Sequence, residues 1–143
     1  MAHLLDSNIL IRQFDVASPQ RSQARSSVES LINAKEEVVI FPQVVIEFWS
    51  VATRPLNVNG LGWTPAQAEA AINNLPSAIR LIPETPAVFE EWKKLVVALG
   101  VSGKNVHDAK LVAAMNVHQV THVLTFNEAD FRRYAGIVIV RPT

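Results

Sequence analysis

Four carboxylates stand where a folding chain seldom leaves an acid unless it caps a helix or does chemistry: Asp6, Glu47, Asp108 and Asp130. Three of them fall close to the ends of predicted parallel strands, and Glu47 interrupts the apolar run Val44-Val45-Ile46-Glu47-Phe48-Trp49. Gathered into one cleft, four like charges repel, and a hard divalent cation offsets that repulsion. The chemistry such a set can do is metal-dependent phosphodiester hydrolysis, because a bound cation activates water, aligns it with the phosphorus and neutralises charge on the leaving oxygen. An all-oxygen donor set suits Mg²⁺ or Mn²⁺ better than structural zinc, which takes histidine or thiolate. Asp6 and Asp108 are the stronger direct ligands, with Glu47 and Asp130 completing the charge balance or holding metal-bound water. Thr125, at a strand end, can orient water or a phosphate oxygen, and Asn127 can coordinate through its neutral amide oxygen.

Each residue also has a plainer explanation. Asp6, ahead of Ser7 and Asn8, suits a turn or a helix cap. Glu47 shares a helical face with Gln43, four residues earlier, so the two can form a solvated polar stripe. Asn105 as a cap would put Asp108 at the third helical position, where an acid relieves unpaired amides and meets the positive end of the helix. Asn127 and Asp130 repeat that pattern. His107 has no spaced histidine or cysteine partner, so a hydrogen-bonding role fits it better than metal ligation.

The elements that must position these residues alternate. Strands are expected at His3–Leu5, Val38–Phe41, Ile79–Ile82, His122–Thr125 and Ile137–Val140, each short and rich in Val, Ile or Leu. Helices are expected after Asp6, from Ser18-Pro19, over Gln43–Thr53, Ala66–Leu75, Ala87–Leu99 and Val106–Val117, with a short one over Glu128–Tyr134. Thr64-Pro65 and Thr85-Pro86 each pair an N-cap with proline at the first helical position, and Pro42 suits the same place. Near-continuous apolar strands between amphipathic helices predict an α/β domain, its mostly parallel sheet covered on both faces. Right-handed crossovers bring the strand C-termini to one edge, where a polar crevice can form. No repeat, linker or low-complexity stretch divides residues 1–143.

Composition limits the alternatives. The chain has 143 residues, 49% of them hydrophobic, and 13 basic side chains balance 13 acidic ones. A mean hydropathy of +0.18 argues for a sizeable core. A formal charge of +0 provides no whole-molecule attraction for nucleic acid, so binding would depend on a local basic rim or on metal. Lys104, Lys110, Arg132 and Arg133 are the rim candidates. Cysteine is absent, which removes disulfides, thiolate sites and cysteine nucleophiles. The first residues lack a signal-peptide pattern, and no apolar run approaches the roughly 18 residues of a membrane span. A cytoplasmic protein without membrane attachment is the expectation.

In order and spacing, Leu5-Asp6-Ser7-Asn8, Glu47 on the helix after the second strand, His107-Asp108-Ala109 and Leu124-Thr125-Phe126-Asn127-Glu128-Ala129-Asp130-Phe131 span essentially the whole chain. This ordered set resembles the PIN-domain ribonucleases, especially the toxin components of VapBC-type toxin–antitoxin pairs. The resemblance implies a three-layer α/β/α sandwich forming one nuclease domain, with Asp6, Glu47, Asp108 and Asp130 around magnesium or manganese. It implies an RNA substrate, products with a 5′-phosphate and a 3′-hydroxyl, a homodimer, and a small antitoxin covering the cleft. Family members often carry an acid where Asn127 stands, a departure that bears on metal occupancy.

Other reaction classes find less support. No Ser–His–acid set has a convincing context, and no glycine-rich phosphate loop leads into Lys-Ser or Lys-Thr. Two acids can serve a glycosidase, but a sugar platform would need more exposed aromatics. The non-enzymatic alternative is a catalytically inactive interaction or RNA-binding module. Its carboxylates would be caps and solvated charges, while Phe14, Trp49, Trp63 and Trp92 divide between core and partner surface.

Overall fold

A computed structural model describes residues 1–143. Five strands, β1 (Ala2–Leu5), β2 (Glu37–Ile40), β3 (Ile79–Leu81), β4 (His122–Leu124) and β5 (Val138–Val140), pair in the order β3-β2-β1-β4-β5. Every pairing is parallel, with His3 opposite both Val38 and His122, and Leu4 opposite Val39 and Val123. Leu4, Leu5, Val38, Val39 and Val123 are fully buried, as strands covered on both faces must be. The helices are α1 (Ser7–Phe14), α2 (Arg21–Asn33), α3 (Pro42–Thr53), α4 (Pro65–Asn73), α5 (Pro86–Leu99) and α6 (Asn105–Val117). α1 packs against α2 and α3, α3 against α4, and α5 against α6. The result is the expected α/β/α sandwich.

Strand order places the site. From β1 the chain winds outward through β2 and β3, then returns across the sheet to β4 and β5 on the other side of β1. The order reverses between β1 and β4, and ligands of open parallel sheets bind beyond the strand C-termini at such a reversal. Asp6 follows β1 and Thr125 follows β4. The Asp6 amide donates to the Leu124 carbonyl at 3.1 Å, extending the ladder to the crevice floor.

Local signals account for several helix starts. Pro42, Pro65 and Pro86 each open a helix, where a missing N–H costs nothing. Thr64 forms a full capping box: its side chain accepts from the Gln67 amide, and the Gln67 side chain accepts from the Thr64 amide. Thr85 stands at the expected N-cap position of α5 but makes no side-chain cap bond, and its hydroxyl is buried without a partner.

Two further expectations need correction. Asn105 is not the cap of α6 but its first residue. The Val106 and His107 amides instead close onto the carbonyls of Gly103 and Lys104, and Gly103 supplies the left-handed conformation, at φ 65°, that starts this tight turn. Asp108 therefore lies one position deeper than a capping acid. The helix expected over Glu128–Tyr134 is reduced to a 3₁₀ turn at Glu128–Asp130. Phe131 and Tyr134 close successive three-residue turns and bury their rings, an arrangement that anchors the segment without nucleating a regular helix.

Candidate active site

Asp6 is buried at the C-terminal end of β1, and protein donors hold both its carboxylate oxygens. Oδ1 accepts from the Ser7 amide at 2.8 Å, which makes Asp6 the N-cap of α1. Oδ2 accepts from the Thr125 hydroxyl at 2.8 Å and from Asn8 Nδ2 at 3.2 Å. Thr125 is fully buried, and its Oγ1 also accepts from Asn8 Nδ2 at 3.1 Å and from the Asn127 amide at 2.9 Å. Asn8 Oδ1 completes the link by accepting from the Phe126 amide at 3.2 Å. The cap reading of Asp6 holds, and the same carboxylate also binds Thr125 across the reversal. Asn8, in the first turn of α1, ties the end of β1 to the end of β4 across the reversal.

Glu47 extends the network from the third helix. Its Oε2 accepts from the Ser7 hydroxyl at 3.3 Å and its Oε1 from Gln43 Nε2 at 3.0 Å. Gln43 and Glu47 share a helical face, as their spacing requires, but that face looks toward α1 and α6. Gln43 Nε2 also donates to the His107 carbonyl at 2.7 Å, next to Asp108. The His107 imidazole is exposed, and only its backbone enters the network.

Asp108 is half-buried, and no hydrogen bond or ion pair reaches its carboxylate. The purely capping account of this residue therefore fails. Asp130 is also half-buried, its amide held by the Asn127 carbonyl at 3.2 Å. Asn127 is exposed and its side chain caps nothing.

The acids act on one another. Burial pushes the Asp6 carboxyl up to about 6; the Thr125 and Ser7 hydrogen bonds oppose that shift, and the charges of Glu47 and Asp130 add to it. Burial likewise pushes Asp108 up to about 6, reinforced by Asp130, Asp6 and Glu47 and opposed by Lys104. Each of the four acids therefore contributes to one shared negative field. Tyr134, unnoticed as a site neighbour in the sequence, borders the same field: burial raises its phenol, and Asp108 and Asp130 add to the effect while Arg133 opposes it.

In charge and donor type the four acids fit a hard cation. Nowhere in the chain, however, do three or more His, Cys, Asp or Glu side chains converge closely enough to ligate a metal. A surface groove of ≈ 680 Å³ lies elsewhere, running beside Phe14, Leu56 and Trp63. Phe14 and Trp63 pack edge to face there, Trp92 donates to the Val106 carbonyl at 2.8 Å, and all four flagged aromatics, Trp49 included, pack against the core. A shallower hollow of ≈ 330 Å³ adjoins Asp130 between Asn127, Arg132 and Arg141.

The rim is less basic than its sequence suggests. Lys110 pairs with Glu84 at 3.2 Å, and Arg132 with Glu128 at 3.2 Å, while Arg141 shares the same glutamate. Lys104 and Arg133 are exposed and form no ion pair.

An all-parallel sandwich with four acids sharing one negative field near the reversal of strand order defines a class, the α/β folds whose polar site lies between diverging strand ends. Within that class, the family model described as "PIN domain" matches residues 3–137, and the chain belongs to that family. The fold is similar to the VapBC2 structure from Rickettsia felis bound to a DNA fragment from the promoter, at 14% identity over 100% of both chains and a TM-score of 0.73. It is also similar to VapC20 of Mycobacterium tuberculosis, a Sarcin-Ricin loop cleaving toxin, at 22% identity over 98% of this chain and 99% of that one, TM-score 0.70. A toxin–antitoxin complex from Klebsiella pneumoniae shares 20% identity over 99% and 98% of the two chains, TM-score 0.67. No curated protein sequence matches the chain.

Proposed function

We propose that this chain is a Mg²⁺- or Mn²⁺-dependent endoribonuclease that hydrolyses RNA phosphodiester bonds as the toxin of a type II toxin–antitoxin pair. One observation carries the reading: Ser7 ties Asp6 to Glu47, and Asp108, without a protein donor, lies in the field of both and of Asp130, so the Asp6 and Asp108 carboxyls are pushed up to about 6, chiefly by burial. Carboxyls raised in this way mark places where a chain keeps unfavourable charge for a purpose. A divalent cation would supply an activated water and electrostatic stabilisation of the leaving oxygen. Asp6 and Asp108 would hold the ion, with Glu47 and Asp130 holding its water.

The chain's own residues do the positioning. Ser7, Asn8 and Thr125 fix the two oxygens of Asp6. Ser7 and Gln43 fix those of Glu47. Asp108 has no protein donor, so its lone pairs stay available. Asn127, exposed at the edge, offers an amide oxygen to water or phosphate. Lys104 and Arg133, without acidic partners, are the rim cations able to meet RNA phosphates.

Membership of the PIN family supports nuclease chemistry. The likeness to VapC20, a Sarcin-Ricin loop cleaving toxin, supports RNA as the substrate class, and the VapBC and toxin–antitoxin complexes support an antitoxin partner and a homodimer. A single nuclease domain over 1–143, working in the cytoplasm, completes the reading. The second reading is a catalytically inactive PIN-like interaction or RNA-binding module; it is favoured by the lack of three converging metal ligands.

Cleavage of a broad RNA panel with Mg²⁺, Mn²⁺ or EDTA separates the two. The nuclease cleaves only with metal, and Asp6→Asn or Asp108→Asn removes that cleavage while the variants stay folded. Cleavage that survives complete chelation, or in both variants, defeats the metal mechanism. RNA binding without cleavage under any metal favours the inactive module.

A further inference from the structure

Gln43 occupies an unusual position for an uncharged residue beside an acidic site. Its amide nitrogen donates to Glu47 Oε1 at 3.0 Å and to the His107 carbonyl at 2.7 Å, joining α3 to the start of α6. Both partners are acceptors with no proton to give. The opposite amide orientation would set three oxygens against one another, so chemistry alone dictates which end of the side chain faces the acids. That choice turns Gln43 Oε1 inward, where it is buried without a hydrogen-bond partner.

His118 Nε2, near the other end of α6, is buried and unpartnered too. Gln43 and His118 line the same small cavity, ≈ 10 Å³, walled by Phe41, Pro83, Val88 and Leu111. That space is close to the roughly 10–15 Å³ that admits one water molecule. Water there donates to Gln43 Oε1 and either donates to or accepts from His118 Nε2, so both tautomers of the imidazole are satisfied. Two buried polar atoms that otherwise lack partners are then satisfied.

We propose that Gln43 is a positioning residue: its amide nitrogen clamps the Glu47 carboxylate against the His107 carbonyl beside Asp108, and one buried water, shared with His118, locks the amide in that orientation. Together with Ser7, whose amide holds Asp6 and whose hydroxyl holds Glu47, the clamp forms a continuous polar chain from Asp6 to the helix carrying Asp108. The assignment of a role to this clamp rests on the metal-dependent nuclease reading. Its effect is to fix the separation of acids from α3 and α6, so that all of them serve one ion.

The test uses the full chain with Mn²⁺ as the probe. Gln43→Leu keeps the side chain's bulk and removes its hydrogen bonds. The half-saturating Mn²⁺ concentration, read from thermal shift in the absence of RNA, is expected to rise about tenfold or more, within the range known for residues that orient metal ligands. Turnover falls while KM for RNA stays near wild type. A merely structural role would lower the melting temperature and leave the Mn²⁺ midpoint unchanged, and that result overturns the proposal. If Gln43→Leu does not fold, a crystal structure of the wild type decides. Water bridging Gln43 Oε1 and His118 Nε2 supports the clamp; a dry cavity, or Gln43 turned to solvent, overturns it. A wild type whose stability ignores Mn²⁺ and which cleaves no RNA overturns the nuclease reading and the clamp with it. A responsive wild type with an equally responsive Gln43→Leu overturns the clamp alone.

Discussion

Asp6 accepts three hydrogen bonds and Asp108 accepts none, yet both carboxyls are pushed up to about 6. Burial, the leading cause for each, has a thermodynamic consequence. In the unfolded chain Asp titrates near 3.9. Between about pH 4 and 6 the folded metal-free protein therefore binds more protons than the unfolded one, so its stability falls as pH rises through that window and levels off above it. A shift of about 2 units at buried Asp6 corresponds to an energy on the order of 2–3 kcal/mol; half-exposed Asp108 contributes less because solvent screens it. Urea unfolding of metal-free protein across pH 4–8 should show this decline, and Asp6→Asn should flatten it. A stability that rises over the same interval would contradict the buried-acid account. Thr125→Val removes the hydroxyl that favours the Asp6 carboxylate. The Asp6 carboxyl then rises further, and the acid limb of the cleavage–pH profile moves to higher pH.

At the scale of elements, the loop after β4 stabilises itself differently from the helices. Asp130 is held over the crevice by a 3₁₀ turn whose anchors are the buried rings of Phe131 and Tyr134. Phe131→Ala should cost roughly 3–5 kcal/mol, the usual range for deleting a buried aromatic side chain. It should also reduce cleavage beyond the loss of folded protein, since Asp130 loses its support; circular dichroism melts and activity per folded molecule check both. Thr64→Ala makes the contrast. It breaks the capping box of α4, costs about 1 kcal/mol, and leaves cleavage per folded molecule unchanged, because α4 contributes no side chain to the crevice.

For the whole molecule, the acids oppose one another until a cation joins them, and ligand binding to the native state alone stabilises it by mass action. Mn²⁺ at 100 times its dissociation constant should add about 2.7 kcal/mol, a rise in melting temperature on the order of 5–10 °C for a chain of this size. Asp108→Asn should lose most of that rise while still folding, as differential scanning fluorimetry would report. A basic rim largely neutralised by Glu84 and Glu128 has a further consequence. RNA affinity should fall only weakly with added salt, with a logarithmic slope near that of about two phosphate contacts. No helix is long and apolar enough to cross a membrane.

Interactions within a few residues were readable directly from the sequence: proline at the first turn of three helices, the Thr64 cap of α4, and short apolar strands alternating with helices. These depend on backbone sterics and on side chains reaching their own chain neighbours. The carboxylates also stood out, because acids amid apolar residues need a reason wherever they occur. Asn105 and Glu128–Tyr134 were misread because their local capping pattern competes with Gly103 turning the chain and with the core drawing in Phe131 and Tyr134. Only the tertiary structure decided which partners each acid would have. The β1–β4 register sets Asp6 against Thr125, 119 residues away, and the packing of α3 beside α6 sets Gln43 against the His107 carbonyl, 64 residues away. Such contacts follow from how strands align and helices dock, and the sum of buried surfaces across the fold determines both.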